Sequence, residues 1–207
     1  MSSINGHRQR IPILVLLLAA AIGVGCAKNA YIDVDYRLPV AGQSLQGRTV
    51  VIETSDLRTD KEIFNKRAKE YFEDFTGLFT LTLESAPDQQ RMLGAYELPM
   101  LFEQALKQRL TAMGVTVTAE PSPGTPVFQI KINRFRINLV GQKWQADISY
   151  EANLSEDARL VAKEVVSGSA ERLKVVGAGG AEKVIGEIFS EMINRLNIER
   201  LFEQAGL

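Results

Sequence analysis

From Val127 to Val175, apolar and polar residues alternate in three runs separated by turns too short for a crossover. Period-two alternation sends successive side chains to opposite faces of a strand. Trp144, Ala146, Ile148, Tyr150, Ala152 and Leu154 keep one parity through the middle run. The first run changes phase: Phe128, Ile130 and Ile132 share one parity, Phe135, Ile137 and Leu139 the other. A one-residue slip would turn half of that apolar face outward. A β-bulge near Asn133-Arg134 keeps both halves on one core. Gly141 and Glu156-Asp157 mark the turns, and the third run extends from about Arg159 to Val175. Parallel neighbours need a dozen or more connecting residues, so these strands form an antiparallel meander.

The rest of the chain supplies helices and further strands. Ile32, Val34, Tyr36 and Leu38 alternate with charged residues in a strand that ends at Pro39. Thr49–Thr54 reads as a second, more central strand, Leu78–Leu83 as a third, and Val115–Thr118 as a short one. Leu98, Leu101, Phe102, Ala105, Leu106, Leu110 and Met113 form one helical stripe, with Pro99 in its first turn and Gly114 at its end. Val184, Ile185, Ile188, Phe189, Met192, Ile193 and Leu196 form another, within a helix from about Ala181 to Phe202. Asp60 is placed to cap a helix from Lys61 to about Phe75, and Ala86–Gly94 reads as a surface loop. The expected fold is α+β: an antiparallel β-sheet with the long helices packed on one face.

Arg8 and Arg10 precede an apolar run from Ile11 to Val24, which ends in Gly23-Val24-Gly25. A basic start, a short apolar stretch and a small-residue exit describe a bacterial export signal. The rival is a transmembrane helix, but a span needs about 20 apolar residues, and this shorter run carries Pro12. Cys26 follows directly, which resembles the acylation site of a bacterial lipoprotein. The rival there is a free cysteine beside an ordinary cleavage site. Residues 1–25 are then the signal, cut between Gly25 and Cys26; residues 26–47 hold a short tether and the first strand; residues 48–207 form one periplasmic domain. Two or more acyl chains give stable anchoring. Ala27, rather than Asp, after the cysteine implies sorting to the cell outer membrane in that class.

Processing also empties the chemical inventory. His7, the only histidine, leaves with the signal, and Cys26, the only cysteine, becomes a thioether. Ser-His-Asp and Cys-His nucleophiles are then excluded, as are the usual His/Cys zinc sites. No metal site and no cofactor are expected. Loss of Arg8 and Arg10 takes 24 basic residues to 22 against 25 acidic ones, a formal charge of −3. That charge gives no reason to expect nucleic acid as a partner, nor a broad basic surface for anionic lipid.

Three features invite a functional reading. Gly177-Ala-Gly179-Gly180 precedes a helix, but phosphate-binding patterns need glycine where this chain has Glu182. Asp56, Arg58 and Asp60 occupy alternate positions beyond the second strand. They read as a local ion cluster in a solvated loop that caps the next helix, with a recognition loop as the rival reading. As a carboxylate pair they would serve glycoside hydrolysis only with further supporting acids. Phe64, Tyr71, Phe72, Phe75 and Phe79 form an aromatic stripe that is either core or an apolar ligand groove.

The chain resembles the YajG family of bacterial lipoproteins. The resemblance rests on Cys26-Ala-Lys, Ile32-Asp-Val-Asp-Tyr-Arg-Leu-Pro39, Gly47-Arg-Thr-Val-Val51, Asp56-Leu-Arg-Thr-Asp60, Leu110-Thr-Ala-Met-Gly114, the strands around Trp144–Leu154 and the final helix. The stretch from Lys61 to Glu97 departs from it, being longer and more aromatic. The resemblance implies a periplasm-facing outer-membrane lipoprotein with no catalytic residues. The function expected is a non-enzymatic binding or assembly factor of the cell envelope, with a protein or lipid partner. The alternative is an auxiliary lipoprotein of an envelope ABC or lipid-transport system. Cells given labelled palmitate are expected to incorporate it into the wild-type chain and not into Cys26→Ser; label that survives the substitution would overturn the anchor.

Overall fold

A computed structural model describes residues 30–40, 42–86, 89–174 and 179–207. The signal, the Gly25–Cys26 junction and part of the glycine-rich connection lie outside the described residues. Within them the strands are β1 (Tyr31–Arg37), β2 (Thr49–Asp56), β3 (Leu78–Ala86), β4 (Gln89–Tyr96), β5 (Thr116–Val117), β6 (Val127–Val140), β7 (Lys143–Glu156) and β8 (Arg159–Leu173). The helices are α1 (Lys66–Lys69), α2 (Leu98–Ala112), α3 (Gly179–Arg195) and α4 (Ile198–Ala205).

The fold is α+β, built on two mixed sheets. One has the order β5-β2-β6-β7-β8, the other β1-β3-β4. The meander β6-β7-β8 is antiparallel, and β2 joins it in parallel to β6. The chain between β2 and β6 contains β3, β4 and α2, ample for a crossover. Ile132 pairs with Tyr150 and Arg134 with Ser149, so Asn133 is the extra residue of a bulge. Phe128, Ile130, Ile132, Phe135, Ile137 and Leu139 are consequently all buried.

Helix α3 holds the two sheets together. Its predicted stripe is buried throughout, from Val184 to Leu196, against β1, β7 and β8. Its other contact runs along the free edge of β1. Ser190 Oγ donates to the Asp35 carbonyl at 2.9 Å and accepts from the Arg37 N–H at 3.1 Å. Asn194 Nδ2 donates to the Arg37 carbonyl, and its Oδ1 accepts from the Tyr36 hydroxyl, both at 2.9 Å. Gly186, one turn earlier, lets the helix lie against the backbone of Asp35. Exposed edges are templates for unwanted pairing, and this one is occupied by side chains.

Four elements differ from the sequence expectation. The helix expected from Lys61 to Phe75 shrinks to α1, because the chain before it runs beside β6 and bonds to its backbone. Leu57 N–H donates to the Ile132 carbonyl, Ile137 N–H to that of Ile63, and Asn65 N–H to that of Ile137. Asn65, not Asp60, is the cap, its side chain accepting from Ala68 N–H. The loop expected at Ala86–Gly94 contains strand β4, whose exposed edge position needs no apolar alternation. The final helix is two helices, because the Asn197 side chain accepts from Arg200 N–H and starts α4 anew. The sheet itself is mixed where β1, β2 and β5 join in parallel.

A Cβ at position 186 would stand 3.2 Å from the Asp35 nitrogen and 3.4 Å from its oxygen, both atoms of a paired strand. Gly186→Val is therefore expected to lose about 1–3 kcal/mol by overpacking, read as a lowered urea midpoint with unchanged slope.

Candidate functional site

The chain leaves β2 at Asp56, loops past the bulge of β6 and rejoins that strand in parallel at Phe64 and Ile137, which gathers charge at one place. Arg58 is 7% exposed. Its Nε donates to Asp56 Oδ1 at 3.0 Å and its Nη2 to Oδ2 at 2.9 Å, a two-point grip on the carboxylate. Its Nη1 donates to the carbonyls of Lys61 and Phe135, each at 3.3 Å. Lys61 Nζ lies 3.1 Å from Asp56 Oδ1. Asp60 points the other way, accepting from Glu62 N–H at 2.9 Å and from the Arg136 guanidinium. The structure thus separates the three residues: Asp56 and Arg58 form one closed pair, while Asp60 joins Arg136 at the surface.

Burial pushes the Asp56 carboxyl up, but hydrogen bonds from the side chain and backbone of Arg58 and from Lys61 outweigh it and hold the carboxyl at about 2. The N–H of Glu62 and the guanidinium of Arg136 lower that of Asp60. Beside them opens a cavity of about 450 Å³, lined by Thr59, Asp60, Arg134, Arg136 and Asp147 among others. Sequence reading did not reach Arg134, Arg136 or Asp147; the phase change at Asn133-Arg134 was the available signal, since bulges re-aim side chains.

The aromatic stripe divides between core and surface. Phe79 is fully buried, Phe64 and Phe72 nearly so, while Tyr71 is exposed. Phe64 stacks on Phe72 at 4.7 Å and meets Phe75 edge-on at 5.4 Å; Phe75 meets Phe79 at 5.3 Å. Trp144 joins the group through Phe72 and Tyr71, and the Lys174 ammonium lies 4.2 Å from the centre of the Tyr71 ring. Phe64, Phe72 and Phe75 floor a surface depression of about 410 Å³, rimmed by Lys69, Glu70 and Glu73.

A third cavity, about 610 Å³, lies between β1 and α3 and is lined by Asp33, Asp35, Glu84, Glu187 and Lys183 among others. Burial, then the charges of Asp33 and Glu84, raise the Asp35 carboxyl. Its sequence trace is the polar parity of β1, which reads equally as a solvated face.

No protein-family model matches the sequence, and no curated protein matches it. Among solved structures, a Xanthomonas campestris protein of the DUF330 family matches at 13% identity, over 83% of this chain and 91% of that one, with a TM-score of 0.51. At that identity the likeness is one of fold. A minor lipoprotein from Acinetobacter baumannii matches at 13% identity over 48% of this chain and 84% of its own, with a TM-score of 0.35. A PelC dodecamer from Paraburkholderia phytofirmans matches at 11% over 77% and 95%, with a TM-score of 0.33. These two weaker likenesses carry no functional inference.

The depressed carboxyl of Asp56 contributes stability that is complete above its unfolded value of 3.8 and is lost as pH falls through about 2. Asp56→Asn is expected to destabilise the protein at neutral pH and to flatten the stability–pH curve across that window, measured by urea unfolding at a series of pH values. An unchanged acid limb would contradict the pairing.

Proposed function

We propose that the protein is a lipid-anchored, non-enzymatic binding or assembly factor of the bacterial cell envelope. In this reading acyl groups on Cys26 hold it at the outer membrane, it faces the periplasm, and it belongs with the YajG-type lipoproteins that its sequence resembles. The observation that carries the non-enzymatic part is electrostatic. Asp56 and Asp60, the acids singled out by sequence, are both held ionised by arginine partners. A general acid for glycan cleavage needs a raised pKa; Asp56 and Asp60 are shifted the opposite way, and the raised carboxyl of Asp35 lies in the separate cavity between β1 and α3. The arginine-paired acids leave a charged surface at the β6 bulge, suited to recognising a partner's polar groups.

The auxiliary lipid-transport reading draws on a different observation, the depression floored by Phe64, Phe72 and Phe75. An apolar floor with a charged rim fits an acyl chain below a headgroup.

The mature domain without residues 1–26 is expected to turn over no peptidoglycan or other glycan. Hydrolysis that disappears in Asp56→Asn or Asp60→Asn would falsify the leading reading. Native mass spectrometry of the gently extracted protein separates the two: co-purifying phospholipid, lost on Phe72→Asp, favours the transport reading, and its absence favours a protein partner at the bulge.

A further inference from the structure

The first described residue is clamped. Thr76 donates to the Ala30 carbonyl twice, through its N–H at 3.0 Å and its hydroxyl at 2.9 Å. Tyr31 then pairs with Leu78 as β1 begins. Cys26 is four residues before Ala30, and an extended chain covers about 3.5 Å per residue, so the two Cα atoms are at most ~14 Å apart. From Leu160 to Leu173 along β8 the same domain spans ~43 Å at strand spacing. The tether is therefore short beside the body it holds, and the clamped end is the one kept near the anchor.

That end has a particular surface. Phe75, next to the clamp, leads through Phe64 and Phe72 to Trp144 and Tyr71 by successive ring contacts. Asn65 Nδ2 donates to the Leu139 carbonyl at 3.2 Å, and Lys174 N–H to that of Gln142 at 2.8 Å. The hairpin tip of β6-β7 and the end of β8 therefore converge on the same place. Four large apolar or amphipathic side chains stand exposed there: Tyr31 at 44%, Tyr71 at 39%, Val140 at 51% and Leu173 at 69%.

We infer that this end of the domain, bearing Tyr31, Tyr71, Val140 and Leu173, rests on the lipid surface that holds the anchor. The inference depends on the acylation of Cys26 proposed above and adds an orientation to it. Tyrosines place an apolar ring in the headgroup region and keep the hydroxyl wet. Lys66 and Arg67 are exposed on long apolar stems, and Lys174 folds its stem over the Tyr71 ring and donates to the Tyr71 hydroxyl. Glu70, Glu73 and Asp74 offset their charge, so the seat rests on apolar contact and tethering and does not need anionic lipid. The β7-β8 turn and Leu160 then point away from the membrane.

Cys26 is the only cysteine, and once acylated it leaves an introduced thiol as the single labelling site. The acylated full chain is reconstituted in phosphatidylethanolamine vesicles with a minority of phosphatidylglycerol. An environment-sensitive fluorophore is placed through Tyr71→Cys, Leu173→Cys or Leu160→Cys, and lipids carrying a nitroxide near the headgroup are the quencher. Labels at 71 and 173 are expected to shift to the blue and to be quenched several-fold more than the label at 160. Equal, weak quenching at all three sites in vesicle-bound protein overturns the seat while leaving the anchor intact. A blue shift without lipid quenching, as a second copy or a protein on this face would give, also overturns it. Failure of the wild-type chain to take up palmitate defeats the anchor itself, a separate result. Leu173 lies on an exposed strand end, so the test stands even if Tyr71→Cys disturbs the Trp144 contact.

Discussion

The last turn of α3 is the point on which the two sheets depend. A helix end leaves carbonyls without partners, and this one is buried. The Tyr150 hydroxyl donates to the Met192 carbonyl at 2.9 Å, and the Arg109 guanidinium of α2 donates to that of Ile193. A cation at a helix C-terminus is also favoured by the helix dipole. One donor comes from β7 of the five-stranded sheet and the other from α2, so both are locked to α3 at one place. With its end fixed, α3 can run along β1 and bring the three-stranded sheet with it. Burial pushes the Tyr150 hydroxyl well above its ordinary range and lowers the affinity of Arg109 for its proton; the guanidinium, intrinsically far more basic than its surroundings require, keeps its charge.

Much of this was written in local pattern. The meander, its bulge and the buried stripes of α2 and α3 follow from parity and helical spacing, which report burial directly. The misread elements are those where a non-local bond decides. Residues 61–65 read as the start of a helix, yet β6 offers its carbonyls and amides first. β4 lacks alternation because both of its faces are largely wet. The closed Asp56–Arg58 pair could be anticipated from spacing alone. Arg136 could not, since it lies far along the chain and meets Asp60 only because β2 and β6 are parallel neighbours.

Outside the acidic cavity between β1 and α3, much of the surface charge is matched close to home. Glu151 is met by Lys163 and Lys131 across the meander, Glu171 by Lys143, and Glu187 by Arg172. Such exposed pairs contribute little stability individually. The pairs of Glu151 and Glu171 leave the outer face of the large sheet without a strong field of either sign.

The extra residue in β6 also constrains how the gene can change. Asn133 is unpaired and exposed, and by composition it looks dispensable. Losing it would make the ladder regular and leave Phe135, Ile137 and Leu139 on the buried face, because Arg134 would follow Ile132 directly and keep its pairing with Ser149. Losing Asn133 and Arg134 together would put Phe135 directly after Ile132 and turn one apolar half of the strand outward. Length changes here should therefore be tolerated by parity rather than by size: loss of the single codon at 133 should be accommodated, while loss of two residues would do more harm than many substitutions in the core.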